Sequence, residues 1–372
     1  MLSRQLPDLR EQDFTLLVTN GVTEARDLEF KRDLPGASDG DIKEFLADVT
    51  SLANAQGGDL VYGIEDRSGL ATAVVGINDA DPDAVLLRLE SIVRDGIEPR
   101  LTAKMQWVPM ANGRGVVVLR VPASLAAPHR IRFKNSGKFW NRNSRGKYEM
   151  DVHELRHAFT ESEALPVRLR QLHDAAVSAA EGFDMPFIMD ADPTAVLSLM
   201  PLGFLRERRD LPLTRENTIL PVKATSASSL PTLEGILWHS TLNEENRVRS
   251  YALTHRTGRI DAAWTFGGNR QLRNGEQMLL VWYESFEEGV TDMAVNGVGR
   301  LRSYGIEGPW VVIVTVLGIK GAMIFKSQLE HSRPAWRERA RLPELVLEHV
   351  SKTTLLPICR ALWLLFGMTP PT

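Results

Sequence analysis

Between Glu24 and Asp66 the sequence spells out a strand, an amphipathic helix and a second strand, with charge at the strand ends. In residues 27–33, Leu28 and Phe30 alternate with Glu29 and Lys31, so the apolar pair takes one face of a strand and the charged pair the other. Pro35-Gly36 ends that strand, and Ser38 or Asp39 can cap a helix. Ile42, Phe45, Leu46, Val49, Leu52 and Ala53 then recur at the spacing of one helical face. Gly57 stands where a helix-ending glycine is expected. Residues 59–65 return to strand alternation, with Leu60, Tyr62 and Ile64 on one side and Asp66 at the end. Glu24 lies too far from Glu29 to share its strand face and so comes from the turn before it, folding back.

This arrangement can gather Glu24, Glu29, Asp66 and Lys31. Clustered carboxylates are costly unless a metal or another cation sits among them. Phosphodiester hydrolysis needs such a cation, an activated water and positive charge against the phosphate. Glu24, Glu29 and Asp66 are therefore candidate catalytic carboxylates and ligands for Mg²⁺ or Mn²⁺, with Lys31 beside the phosphate. The competing reading is that all four are solvated charges on an exposed sheet face.

A second constellation runs from Arg130 to Lys147. It holds Arg130, Arg132, Lys134, Lys138, Arg142, Arg145 and Lys147, no acidic residue, and Phe133, Phe139, Trp140, Asn141 and Asn143 between them. Cations neutralise phosphates and aromatics stack on unpaired bases, so the expectation is a nucleic-acid-binding strand–turn–strand in which Trp140 takes part. The alternative is a solvated strand pair whose aromatics turn inward. With a formal net charge of −3, the chain as a whole is no basic coat, and such binding must be local.

A third motif, His153-Glu154-Leu155-Arg156-His157, has the spacing of a zinc peptidase helix. Arg156 within it, a helix expected to span only 152–160, and no third ligand at a recognisable spacing weigh against that use. The single cysteine, Cys359, excludes a disulfide framework and multi-cysteine zinc fingers, and suits a reducing, cytoplasmic setting. Neither a signal peptide nor a membrane span is expected.

Taken together, the residues Glu24-x4-Glu29-Phe30-Lys31, then Ala53-Asn54, Gly57-Gly58, Gly63 and Asp66, and later Trp140-Asn141-Arg142-Asn143-Ser144, resemble the Schlafen-type AlbA-like domain over about residues 15–160. In bacteria such domains are labelled DNA-binding and sometimes ATP-binding. The resemblance implies a metal-dependent endoribonuclease acting on structured RNA such as tRNA, with Glu24, Glu29 and Asp66 catalytic and Lys31 on the phosphate, and it suggests a place in bacterial defence. Two departures stand out: Ala25 replaces a serine common in the family, and the family's zinc-site cysteines are missing. No Gly-x4-Gly-Lys-Ser/Thr loop supports ATP binding.

The expected architecture is α+β. It comprises a Schlafen/AlbA-like domain with mixed sheet and helices at 1–162, a helical connector at 163–182, and a β-rich α+β domain at 183–372 ending in a helix that breaks at Pro357. The partner is nucleic acid, RNA ahead of DNA, with a homodimer or the second half supplying a further wall. A non-catalytic DNA- or RNA-binding regulator is the alternative function.

Overall fold

The computed structural model describes residues 2, 4–79, 81–124, 126–144, 146–205, 210–271, 275, 277–324 and 332–370. It is α+β and divides into two compact units, Met1–Pro166 and Val167–Thr372.

In the first unit a 3-10 turn (Leu6–Asp8) precedes α1 (Glu11–Thr19), β1 (Leu28–Lys31), α2 (Asp39–Asn54), β2 (Gly57–Tyr62), β3 (Ile64–Arg67), β4 (Leu70–Val74) and α3 (Pro82–Gly96). There follow β5 (Ile97–Glu98), β6 (Lys104–Pro109), β7 (Gly115–Pro122), β8 (Arg130–Ile131), β9 (Trp140–Asn143) and β10 (Gly146–Glu149). Four strands form a mixed sheet ordered β1-β2-β7-β6, in which only β1 and β2 run parallel. Parallel neighbours need a crossover, and α2 supplies it, its start capped by the Ser38 hydroxyl on the Asp41 amide.

Strand parity then sorts the side chains. Leu28 and Phe30 join Phe14, Val61, Val116 and Val118 in a core on one side of the sheet. Leu60, Tyr62, Val117 and Leu119 lie on the other side with Phe45, Leu46, Val49 and Leu52 of α2. Glu29 pairs in register with Leu60 and Lys31 with Tyr62, so both charged residues project to the side that α2 covers.

Three details differ from the sequence expectation. Gly57 opens β2 instead of ending α2, whose cap is Ala55. Its φ is +81°, and a Cβ there would sit 2.7 Å from the Val121 carbonyl oxygen and the Ala123 amide nitrogen, so close strand packing is what demands glycine. The strand expected at 59–65 breaks at Gly63, whose φ is +98°, and the chain turns into the β3–β4 hairpin with a register shift at Glu65/Asp66. The helix expected at 152–160 and the connector at 163–182 are one 29-residue helix, α4 (Val152–Ala180), with Pro166 inside it. No glycine stands between 152 and 180 to stop it, and one proline removes a single backbone donor.

The second unit contains β11 (Ile188–Met189), β12 (Thr194–Pro201), β13 (Ala227–Pro231), β14 (Gly235–Ser240), β15 (Arg247–Val248), β16 (Ser250–His255), β17 (Ile260–Thr265), β18 (Gly267–Gln271) and β19 (Gln277–Val281). After them come α5 (Tyr283–Ser303), β20 (Trp310–Leu317), β21 (Met323–Ile324), β22 (Arg339–Arg341), β23 (Leu345–Leu347) and α6 (Lys352–Leu364). An eight-stranded antiparallel sheet runs β13-β14-β16-β17-β12-β20-β22, with β23 also on β20. Its core includes Trp264 and Trp310, both fully buried, and apolar residues of α5 and α6. The segment 342–366 is not wholly helical: β23 precedes α6, and α6 passes through Pro357 unbroken because Leu355, Ile358, Cys359 and Leu362 are all held in the core. Cys359 is packing, with burial pushing its thiol up to about 12. No helix among the described residues is long and apolar enough to cross a membrane.

Candidate functional site

The charged residues of β1 meet α2 and the β9–β10 hairpin. Glu29 is 8% exposed. Its Oε1 lies 2.6 Å from Lys31 Nζ and its Oε2 2.7 Å from Arg142 Nη2. Lys31 Nζ also stands 3.8 Å from Asp48 Oδ2. Lys147 donates to both Asp48 and Glu44 of α2. Three acids (Glu29, Asp48, Glu44) thus face three bases (Lys31, Arg142, Lys147), and the cluster is neutral within itself. Arg142 is buried at 3% exposure, and its Nε and Nη1 have no hydrogen-bond acceptor among the described residues.

The environment shifts these groups in opposite directions. Burial pushes Glu29 up, but Arg142 and Lys31 outweigh it and hold its carboxyl below the ordinary value. Burial, reinforced by Glu29, raises Asp48 to about 6 despite Lys147 and Lys31. Lys31 is raised: burial would lower it, and Asp48, Glu29 and Glu24 more than compensate. Tyr62, beneath the cluster, is pushed well up by burial and by the Asp48 and Glu29 charges.

Glu24 and Asp66 belong to an adjoining corner. Glu24 folds back onto β1, its Oε1 accepting the Phe30 N–H at 2.9 Å, and so caps a backbone donor on the strand edge. Its own N–H donates to the Gly69 carbonyl at 2.7 Å, and the Gly69 N–H donates to Asp66 Oδ2 at 2.9 Å. Burial raises the Glu24 carboxyl; Phe30's N–H opposes this, and Glu29 and Asp66 add to it. Glu29 and Asp66 are therefore both within electrostatic reach of Glu24. The three do not converge on a common point: among the described residues no group of three or more His, Cys, Asp or Glu side chains could hold a metal ion. Both Glu29 oxygens already face cations, so as placed these residues do not fit a three-carboxylate Mg²⁺ or Mn²⁺ centre.

The basic run is acid-free along the chain but not in space. Arg130 pairs with Glu98 at 2.6 Å, Lys134 with Asp39 at 2.6 Å and Lys138 with Glu149 at 2.7 Å, while Arg142 and Lys147 enter the cluster above. Arg132 is exposed and has no acidic partner among the described residues, whereas Arg145 lies outside them. The aromatics turn partly inward: Phe133 and Trp140 pack against the core, and Phe139 meets Phe159 edge-on at 6.0 Å. Lys138 Nζ lies 5.8 Å over the Trp140 ring. Asn54 holds both ends of this segment. Its Nδ2 donates to the His129 and Trp140 carbonyls, each at 2.8 Å, and its Oδ1 accepts the His129 N–H at 2.6 Å.

The HExxH helix is long, contrary to expectation, yet its glutamate is otherwise engaged. Glu154 accepts the Tyr148 hydroxyl at 2.9 Å and the Asp151 N–H at 3.0 Å, closing the helix start. His153 is exposed, and His157 lies 3.5 Å from Glu161.

Two sets escaped the sequence reading. Asp48 sits with Asp41 and Glu44 on an acidic stripe beside the apolar face of α2, a helical spacing that was available as a signal. The second set is a buried network in the other unit: Ser198 Oγ donates to Asp261 Oδ1 at 2.6 Å, His173 Nδ1 lies 3.0 Å from Ser198 Oγ, and His173 Nε2 lies 2.8 Å from Thr315 Oγ1. His255 Nε2 and Arg259 Nη2 complete it at 2.7 and 2.8 Å from Asp261 Oδ2. It has the residue types of a hydrolase triad but not the wiring. The serine proton goes to the aspartate rather than to histidine, and Ser198 and His173 are wholly buried. Its role is to satisfy polar groups inside the sheet.

Residues 24–151 match the family model described as Schlafen, AlbA_2. The match lies in the N-terminal part and spans 128 of the 372 residues. Among solved structures, the DIP2311 protein from Corynebacterium diphtheriae is 18% identical over 38% of this chain, with a TM-score of 0.27, and the match spans 26% of that protein's own chain. The N-terminal domain of a DNA helicase RecG-related protein from Nitrosomonas europaea is 24% identical over 37% of this chain and 90% of its own, with a TM-score of 0.28. Comparison with curated proteins finds no match.

Proposed function

We propose that the N-terminal unit is a nucleic-acid-binding module, and that the Glu29–Arg142–Lys31 cluster is the ion-pair lock that seats its basic segment. One observation carries this reading. Residues 99–148 contain 11 Lys or Arg and no Asp or Glu, and pairing with acids from other elements leaves part of that charge over. Arg100, Arg114 and Arg132 have no acidic partner among the described residues. A surface of this kind binds phosphates by releasing counterions, with affinity that falls steeply with salt. The Schlafen, AlbA_2 match over 24–151 is consistent with it.

A metal-dependent endoribonuclease is the second reading. It is favoured by the nearness of Glu29 and Asp66 to the Glu24 carboxyl, which both of them raise. It would require Glu29 to leave its two cations, since the present arrangement offers no three-acid site. The deciding experiment incubates the full chain with tRNA and with duplex DNA, with and without Mn²⁺, at 50 and 200 mM salt. Salt-sensitive binding without cleavage supports the module. Mn²⁺-dependent cleavage that Glu29→Ala abolishes establishes the nuclease. Absence of binding to either nucleic acid at 50 mM salt refutes both.

A further inference from the structure

Beside the basic segment lies an open concavity of about 690 Å³ whose lining includes Asp95, Glu98, Arg100, Arg132, Phe133 and Lys134 and none of Glu24, Glu29 and Asp66. Its walls are built by pairing. β5 and β8 run antiparallel, with Ile97 opposite Ile131 and Glu98 opposite Arg130, and the Arg132 N–H donates to the Gly96 carbonyl at 2.8 Å. That pairing sets the end of α3 against the 3-10 turn Phe133–Asn135. Two consecutive residues of the turn, Lys134 and Asn135, hold left-handed φ values of 44° and 58°. Non-glycine residues adopt this conformation at a cost, and such strain gathers where a loop presents side chains to a ligand.

The charges of the concavity do not cancel. Each acid in or beside it already has its own base: Asp95 has Arg94 at 3.0 Å, Glu98 has Arg130 at 2.6 Å, and Asp39, which reaches in from α2, has Lys134 at 2.6 Å. Arg100 and Arg132 are left over; both are exposed, and they act on Asp95 and Glu98 only at longer range. The half-buried Phe133 ring lines the same concavity as an apolar wall, with Lys134 Nζ 5.7 Å from its centre. Two surplus guanidiniums and an aromatic wall lining one space of nucleotide size match a phosphate and the base beside it.

We propose that this concavity is a nucleotide subsite for single-stranded nucleic acid, in which Arg100 and Arg132 take the phosphates and Phe133 takes the base. The proposal rests on the nucleic-acid-binding reading above and deepens it by locating the contact. A free nucleoside triphosphate shares this chemistry, so the test carries an arm for each source. Binding of a fluorescein-labelled 12-mer of uridine to the full chain is followed by anisotropy from 50 to 300 mM salt. The variants are Arg100→Ala/Arg132→Ala, Phe133→Leu and, as a control on total charge, Lys320→Ala/Arg337→Ala in the second unit. Losing two phosphate contacts on a single strand lowers the salt slope by about 1.4. The arginine variant is expected to show that change and to bind about tenfold more weakly at 100 mM salt. Phe133→Leu keeps an apolar side chain for folding and is expected to lose about tenfold at every salt concentration without a change of slope.

If the wild type binds but the arginine variant keeps its slope, or if the control pair loses as much, the subsite is refuted and the general reading survives. If the wild type binds no nucleic acid, the general reading itself has failed. ATP displacing the 12-mer and binding alone with equal affinity would overturn the strand assignment in favour of a free nucleotide.

Discussion

Acidification should weaken the second unit through one residue, His173. The ring is wholly buried among Ser198 and Thr315, and burial lowers its pKa from 6.5 to about 4. In the unfolded chain the ring takes a proton as pH falls below 6.5, whereas the folded chain resists until about 4. The unfolded state therefore binds more protons across this window, and stability falls as pH falls. The full difference corresponds to about 3 kcal/mol. Between pH 7.5 and 5.0 the part realised is about 2 kcal/mol. Asp261 does not confuse that range, because Arg259 and His255 overcome its burial and hold it at about 2. Urea unfolding followed by tryptophan fluorescence reports mainly on this unit, since six of the eight tryptophans follow Val167. His173→Gln removes the titration while keeping a polar side chain. The wild type should lose about 2 kcal/mol more than the variant between the two pH values. Equal losses would show that His173 is not held neutral, and would refute the assignment of the network as a buried neutral bridge.

Other consequences concern the first unit. The side-chain carboxyl ¹³C signal of Asp48 should titrate with a midpoint near 6 rather than the ordinary 3.8, and a normal midpoint would mean that the α2–hairpin interface is wetter than described. Arg142→Met leaves Glu29 buried with one cation instead of two. Its expected cost is about 3–5 kcal/mol, measured as earlier urea unfolding and faster proteolysis of the first unit, with partial recovery in Glu29→Gln/Arg142→Met. Gly57→Ala must force either a left-handed alanine or a movement of β7, and should lower the unfolding midpoint by more than about 1 kcal/mol equivalent.

Much of the first unit was legible because its strands and helices bury one face each. The alternation of Leu28, Glu29, Phe30 and Lys31 located β1, and the helical spacing of Ile42, Phe45, Leu46, Val49, Leu52 and Ala53 located α2. Pro357 was expected to break the last helix, but it lies inside α6, where packing outweighs a single missing donor. The site was half legible. Strand parity placed Glu29 and Lys31 together, yet no local pattern says which distant acid will neutralise which base. Glu98, Asp39 and Glu149 meet Arg130, Lys134 and Lys138 only through strand pairing and the approach of α2. The absence of acids from a stretch of chain is therefore a weaker sign of a bare positive surface than it looks. The stretch did contain Arg132, which has no acidic partner among the described residues, and Arg100 lies on its extension back to Pro99.

The Asn54 amide spends three hydrogen bonds on backbone atoms at 129 and 140, so one side chain rivets both feet of the intervening arch to the end of a helix. What lies between the feet therefore need not by itself fix where the segment enters and leaves. Residues 134–138 could lengthen, shorten or change composition while entry and exit stayed put, which makes this arch the part of the unit most open to acquiring new ligand preferences without a new fold.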